Sequence, residues 1–150
     1  MKLRSTIVDK RDPADPFTPA AIAHETDWLP DHAVFHGAPM SAEIFVHAYL
    51  DDPDAWHWST DLRNAPRETI LKRTLAIIAQ ASLLHHERAL GQLGAGPLED
   101  LMSAALLDDL DNWMPFSDAM RYALNCVRMN VEPAAVQRRL EGMLSKRGQT

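Results

Sequence analysis

A lone cysteine, Cys126, is the only thiol among these 150 residues. That excludes an internal disulfide framework and a zinc site built from thiolates alone. Glycine is sparse too, six in number. Gly91, Gly94 and Gly96 follow a helical pattern rather than a strand, so they match no nucleotide-binding fingerprint. No serine sits in a nucleophile-elbow context, and no internal repeat or low-complexity segment is present. No apolar run approaches the roughly 20 residues needed to span a bilayer. The opening MKLRSTIVDKRDP is positively charged but lacks the apolar stretch and small-residue cleavage site of a secretion signal. These absences set the expectation of a cytoplasmic chain with no membrane partner.

What is present is acid, histidine and tryptophan. The formal charge is −6 and it is unevenly spread: residues 1–120 carry nine Lys or Arg against nineteen Asp or Glu, a balance of −10, whereas residues 121–150 carry six against two, or +4. An acidic body disfavours nucleic-acid phosphate as a direct partner and favours steering towards a basic protein surface. The length suits one folding unit, large enough to bury a core without disulfides or a structural metal.

Apolar patterning is densest over residues 66–107. Pro66 suits a first helical position, because its missing N–H is one that a helix leaves unsatisfied. At about 100° per residue, Ile70, Leu71, Thr74, Leu75, Ile77 and Ile78 share a face, with Lys72, Arg73 and Gln80 turned away from it. Leu83, Leu90 and Leu93 then drift about a quarter turn out of phase. A single helix tolerates that only if it is buried nearly all round. A break at Ser82, acting as a cap, gives helices over 66–81 and 83–93 instead, and places His85 and His86 in a first turn. Gly94 and Gly96 are expected to stop the second helix, with Gly94 free to adopt positive φ. Pro97 then starts another helix, whose first turn holds Glu99 and Asp100 close to its free N–H groups.

The remaining helices follow from caps and periodicity. Residues 1–40 read as an irregular proline-rich arm packed on the body, with one helix at 19–29 turning Ile22 and Trp28 inward and a short strand-like run at 5–8. Residues 41–150 read as the helical domain. Ser41 caps a helix to Leu50 that presents Ile44, Phe45, Ala48 and Tyr49, and Asp52-Pro53 opens one carrying Trp56 and Trp58 to about Leu62. The helix after Pro97 carries Leu98, Leu101, Met102 and Ala105 and bends among Asp108, Asp109 and Asp111. Ser117 caps a helix to about Met129 with Met120, Ala123, Leu124 and Val127 inside. Pro133 begins the last, with Val136, Leu140 and Met143 inside and Arg138 outside. The expectation is an all-α, compact single-domain helical bundle of about six to eight short helices.

The run Gly94-Ala95-Gly96-Pro97-Leu98-Glu99-Asp100-Leu101 resembles the G-A-G-P-L-E-D-L signature of a bacterial family of small uncharacterised helical proteins, a domain of unknown function. The likeness covers roughly residues 56–130. It implies a small, soluble, mainly helical protein of accessory-gene type, a class that includes toxin-neutralising immunity proteins. It also implies a short helix before the signature, separate from the longer one upstream. The acid-rich stretch 108–115 and the long arm depart from that pattern.

His85-His86-Glu87 has the residue types of a metal or acid–base site, but neighbours on a helix point about 100° apart, so the three cannot share one ion. His32 and His36 have better spacing, and His24, His47 and His57 are further ligand types, which keeps a metal-dependent hydrolase or oxidoreductase as the rival function. Cys126 reads as a packed thiol. No cofactor or metal is assigned. The partner-binding candidates are Asp51, Asp52 and Asp54 ahead of Trp56 and Trp58, and Asp108, Asp109 and Asp111 ahead of Trp113. In each cluster carboxylates steer and an indole anchors. The expected function is binding of another protein, as an inhibitor or immunity protein that occludes a basic surface of a toxin or nuclease. A structural or self-associating helical module is the third reading.

Overall fold

The computed structural model describes residues 15–31, 40–129 and 132–146. The chain is all-α. In order, the helices are α1 (Pro19–His24), α2 (Ala42–Asp51), α3 (Pro53–Trp56), α4 (Arg67–Gln80), α5 (Leu83–Leu93), α6 (Glu99–Leu101), α7 (Ala104–Leu110), α8 (Asp118–Asn125) and α9 (Ala134–Ser145). Short 3-10 turns at His57–Thr60 and Asp111–Trp113 follow α3 and α7, and a π turn at Gly94–Leu98 joins α5 to α6.

Local chemistry accounts for most of the boundaries. The side chains of Thr18, Ser41, Asp52, Ser103 and Ser117 each accept a hydrogen bond from the backbone N–H three residues on, which starts α1, α2, α3, α7 and α8. α1 is shorter than its pattern suggested, ending at His24, yet Ile22 and Trp28 both point inward. α8 ends at Asn125, and Val127 still reaches the core from the turn beyond it. Residues 5–8, the strand-like run, lie outside the described residues.

Helix α4 is the centre of the molecule. Residues 70–78 are all buried, since α1, α2, the His57–Thr60 turn, the π turn and α8 pack around the helix. Lys72 and Arg73, expected to face away from the core, are therefore buried with the rest. Lys72 reaches Asp27 at 3.0 Å, and Arg73 donates to the carbonyls of Trp28 (2.6 Å) and Ser59 (2.8 Å). One core takes in Phe17, Ile22 and Trp28 from the N-terminal segment together with Leu140 and Met143 of α9.

The break at Ser82 is present, but its side chain does not cap α5. The Ser82 backbone N–H instead donates to Nδ1 of His86 at 2.9 Å, and the backbone kinks at His86 (φ −126°, ψ 32°). Ile44, expected inside, is 45% exposed, because Phe45, Val46 and Tyr49 turn the other side of α2 into the core.

The glycine signature does not stop the helix. Gly94 keeps right-handed helical angles (φ −69°, ψ −49°), and the chain runs on through the π turn into α6. Packing against α4 and α8 keeps the segment helical, and Pro97 gives it its π form. A proline within a helix cannot donate to the fourth residue back and its ring crowds that carbonyl, and the wider π turn relieves both. Glu99 consequently faces no free N–H groups of a new helix. Its carboxylate binds the backbone N–H of Arg128 (2.9 Å) and the guanidinium (2.8 Å), which holds its carboxyl below the usual range. The helical pattern breaks later than expected, at Met102, and α7 restarts from Ser103 with Ala105 exposed.

Candidate functional site

Asp52 ends α2 and begins α3: it follows the last turn of one helix while its carboxylate caps Ala55 N–H at 3.3 Å. The sharp turn brings the aromatic residues of α3 back over α2. Trp56 meets Phe45 edge-on (6.0 Å, 82°) and stacks with Trp58 (6.0 Å, 28°), while Phe45 meets Trp28 at 5.8 Å. A row of four rings thus runs from the core to the surface, where Trp58 is 36% exposed. The Trp58 carbonyl accepts from the Asn64 amide (2.9 Å) and the Asp61 N–H (3.2 Å), so the backbone behind the exposed ring is fixed. Asp61 is clasped by Arg63, which holds its carboxyl down at about 2.

The acids of this turn have different roles. Asp54 is bound by Gln92 (2.5 Å) and Arg88 (2.6 Å) from α5, and both hold its carboxyl below the usual range. Asp52 is a cap. Asp51 is exposed and makes no hydrogen bond or ion pair among the described residues. Beside them lies a hub that sequence reading did not isolate. Nδ1 of His57 is 3.2 Å from the Tyr49 hydroxyl and 3.4 Å from Thr60 Oγ1, and burial pushes the Tyr49 phenol well above its ordinary range. The far edge of the His57 ring rests on Gly96, where an added methyl would sit 3.0 Å from Cε1. Nothing local distinguishes His57 from the other histidines, because α2, the 3-10 turn and the π turn converge only in the fold.

The second cluster is differently disposed. Asp108 and Asp111 both face Arg139 of α9, at 2.8 and 3.6 Å. Trp113 donates its indole N–H to the Phe17 carbonyl (2.7 Å), which ties the N-terminal segment to the body. Arg139, from the basic C-terminal part of the chain, thus lies against the acids of this cluster. Arg121 likewise binds the carbonyls of Leu144 and Lys146 at the end of α9.

Asp109 is half-buried, and burial, then the nearby Asp15, raise its pKa. For an acid a raised folded-state pKa means the charge opposes folding above that pKa, and the opposition fades as pH falls through it. The charge also lies at the unfavourable C-terminal end of α7. Asp109→Asn is therefore expected to stabilise the fold at pH 7 by about 0.3–1 kcal/mol, a Tm rise of about 1–3 °C. Thermal unfolding at pH 7 and pH 4 checks it: the gain should shrink at the lower pH.

His85 and His86 sit in the first turn of α5. His85 is exposed, with Nδ1 3.4 Å from Ser82 Oγ, and Glu87 accepts from the Tyr122 hydroxyl at 3.1 Å. Among the described residues no three His, Cys, Asp or Glu side chains are grouped to hold a metal ion. His32 and His36 lie outside the described residues. Cys126 is a half-buried free thiol. No helix among the described residues is long and apolar enough to cross a membrane. No protein-family model, curated protein or solved structure matches the chain.

Proposed function

We propose that this chain acts by binding another protein, as an inhibitor or immunity protein that occludes a basic surface of a toxin or nuclease. The observation that carries this proposal is Trp58: an exposed indole, stacked on Trp56, on a backbone pinned from behind, in a turn that opens with the exposed Asp51, which makes no hydrogen bond or ion pair among the described residues. A rigid exposed aromatic in a turn with an unengaged carboxylate suits a basic partner, because ordering the ring costs little entropy on binding and the charge steers approach. The Asp51–Trp58 turn is the better of the two clusters, since Trp58 is exposed whereas Trp113 is half-buried with its N–H bound to the Phe17 carbonyl. The G-A-G-P-L-E-D-L resemblance adds modest support, through the class of protein it implies.

The test begins with capture from native lysate at low salt, identification of the retained protein, and measurement of its affinity with purified components. Trp58→Ala should weaken binding by about 30-fold or more, the scale of an interface anchor. Asp51→Asn should slow association mainly at low salt, and 0.5 M NaCl should reduce retention. Binding indifferent to both substitutions and to salt would overturn the proposal. Retention of a second copy of this chain alone would point to the self-associating module instead.

A further inference from the structure

A groove of about 370 Å³ lies between α1, α2 and α4, a volume within the usual range for small-molecule sites. Ile22, Trp28 and Val46 form its apolar wall, and Trp113 closes one side. Neither indole offers a hydrogen bond there: the Trp28 N–H is spent on the Glu25 carbonyl (2.8 Å) and the Trp113 N–H on the Phe17 carbonyl. Both rings are thereby fixed: Trp28, 1% exposed, belongs to the buried floor, and the half-buried Trp113 presents carbon to an occupant. On the α4 side the exposed Ala79 leaves space that a larger side chain would fill.

Among the described residues the charge lining the groove has one sign. Glu43, exposed in the first turn of α2, lines it and makes no hydrogen bond or ion pair among the described residues. Among the described residues no Lys or Arg lines it, and its other polar side chains, His47 and Gln80, are exposed. The two buried cations of α4 are engaged, Lys72 on Asp27 and Arg73 on backbone carbonyls. Fixed aromatic carbon next to an unpaired carboxylate complements one ligand chemistry, an ammonium carried on a hydrocarbon body. We propose that this groove binds a small organic cation, an aryl- or alkylammonium, with its hydrocarbon against Trp113, Pro19 and Ala23 and its ammonium at Glu43. This site is separate from the Trp58 turn and does not depend on the protein-binding proposal.

The experiment is a ¹⁵N–¹H NMR titration of the full chain with three probes of one shape: 4-phenylbutylammonium, the neutral 4-phenylbutanol and the anionic 4-phenylbutyrate. The ammonium should give saturable shifts at the Trp28 and Trp113 indole N–H signals and at amides 76–80, with a Kd on the order of 1 mM for so small a ligand. Glu43→Gln should weaken the ammonium by about three- to fivefold, the ratio for a partly exposed ion pair, and leave the alcohol unchanged. Ala79→Phe, at an exposed position, should block all three probes without changing the thermal midpoint by more than about 2 °C. The proposal is overturned if the anion binds as tightly as the ammonium, if shifts map away from the groove, or if none of the probes saturates by about 10 mM. A groove that excludes the probes because a second copy covers it, seen as a doubled mass in solution, overturns it equally.

Discussion

Replacing Gly94 by alanine is expected to destabilise the protein by about 3 kcal/mol or more, although glycine to alanine inside a helix ordinarily stabilises by about 1 kcal/mol. Gly94 has helical angles, so conformational freedom is not its role. Its role is contact. A methyl at this position would overlap the carbonyl oxygen of Ala123 and lie 2.8 Å from Cys126 Cβ, both on or next to α8. The obstacle is partly backbone, which cannot rotate aside as a flexible side chain can. Relief requires α5 and α8 to separate, and with them the packing of Leu90, Leu93, Ala123 and Leu124, all buried. Gly142→Ala is the internal control. Nothing lies within 4 Å of an added methyl there, in the exposed part of α9, so that substitution should stabilise by about 0.5–1 kcal/mol. Urea unfolding of the two variants should move the midpoint in opposite directions. A Gly94→Ala protein as stable as the parent would show that α5 and α8 do not pack as described.

Arg73→Met should cost about 3 kcal/mol or more, because it strips the donors from two carbonyls that the fold has removed from water. The side chain is 7% exposed, and burial lowers the pKa of its guanidinium. One planar group spans the Trp28 turn and the His57–Thr60 turn and ties both to α4. Arg73→Lys keeps the charge but not the fork, so it should recover less than half of the loss. Its neighbour provides the contrast. Lys72 pairs with Asp27, whose side chain is 63% exposed, and Lys72→Met should change stability by no more than about 1 kcal/mol. Denaturant unfolding gives the magnitudes. Chymotrypsin cleavage after Trp28 gives the location: it should accelerate in Arg73→Met well before global unfolding and stay near the parent rate in Lys72→Met.

Features decided within a turn or two of chain were legible in the residues. Thr18-Pro19, Ser41, Asp52-Pro53 and Ser117 marked helix starts because a side-chain oxygen three residues ahead of a free N–H needs no help from the rest of the fold. The phase drift past Ile78 placed the break at Ser82. The inner faces of α8 and α9 followed from their periodicity. The π turn was missed for a related reason: glycine and proline mark a perturbed helix as readily as a terminated one, and the packing of 94–98 against α4 and α8 selects between the two.

The charges divide more sharply. Composition established the acidic balance, the scarcity of thiol and the tryptophans beside aspartates. It could not establish which aspartates remain free, because the partners are remote in sequence: Arg88 for Asp54, Arg139 for Asp108 and Asp111, Arg128 for Glu99. The tertiary fold made that choice. By bringing α5 against α3 and α9 against α7 it paired Asp54, Asp108 and Asp111, while Asp51 and the ring of Trp58 face solvent. A local pattern fixes which face of a helix is apolar, but only the packed neighbours fix whether a charge on that helix meets water, a counter-ion or a buried carbonyl.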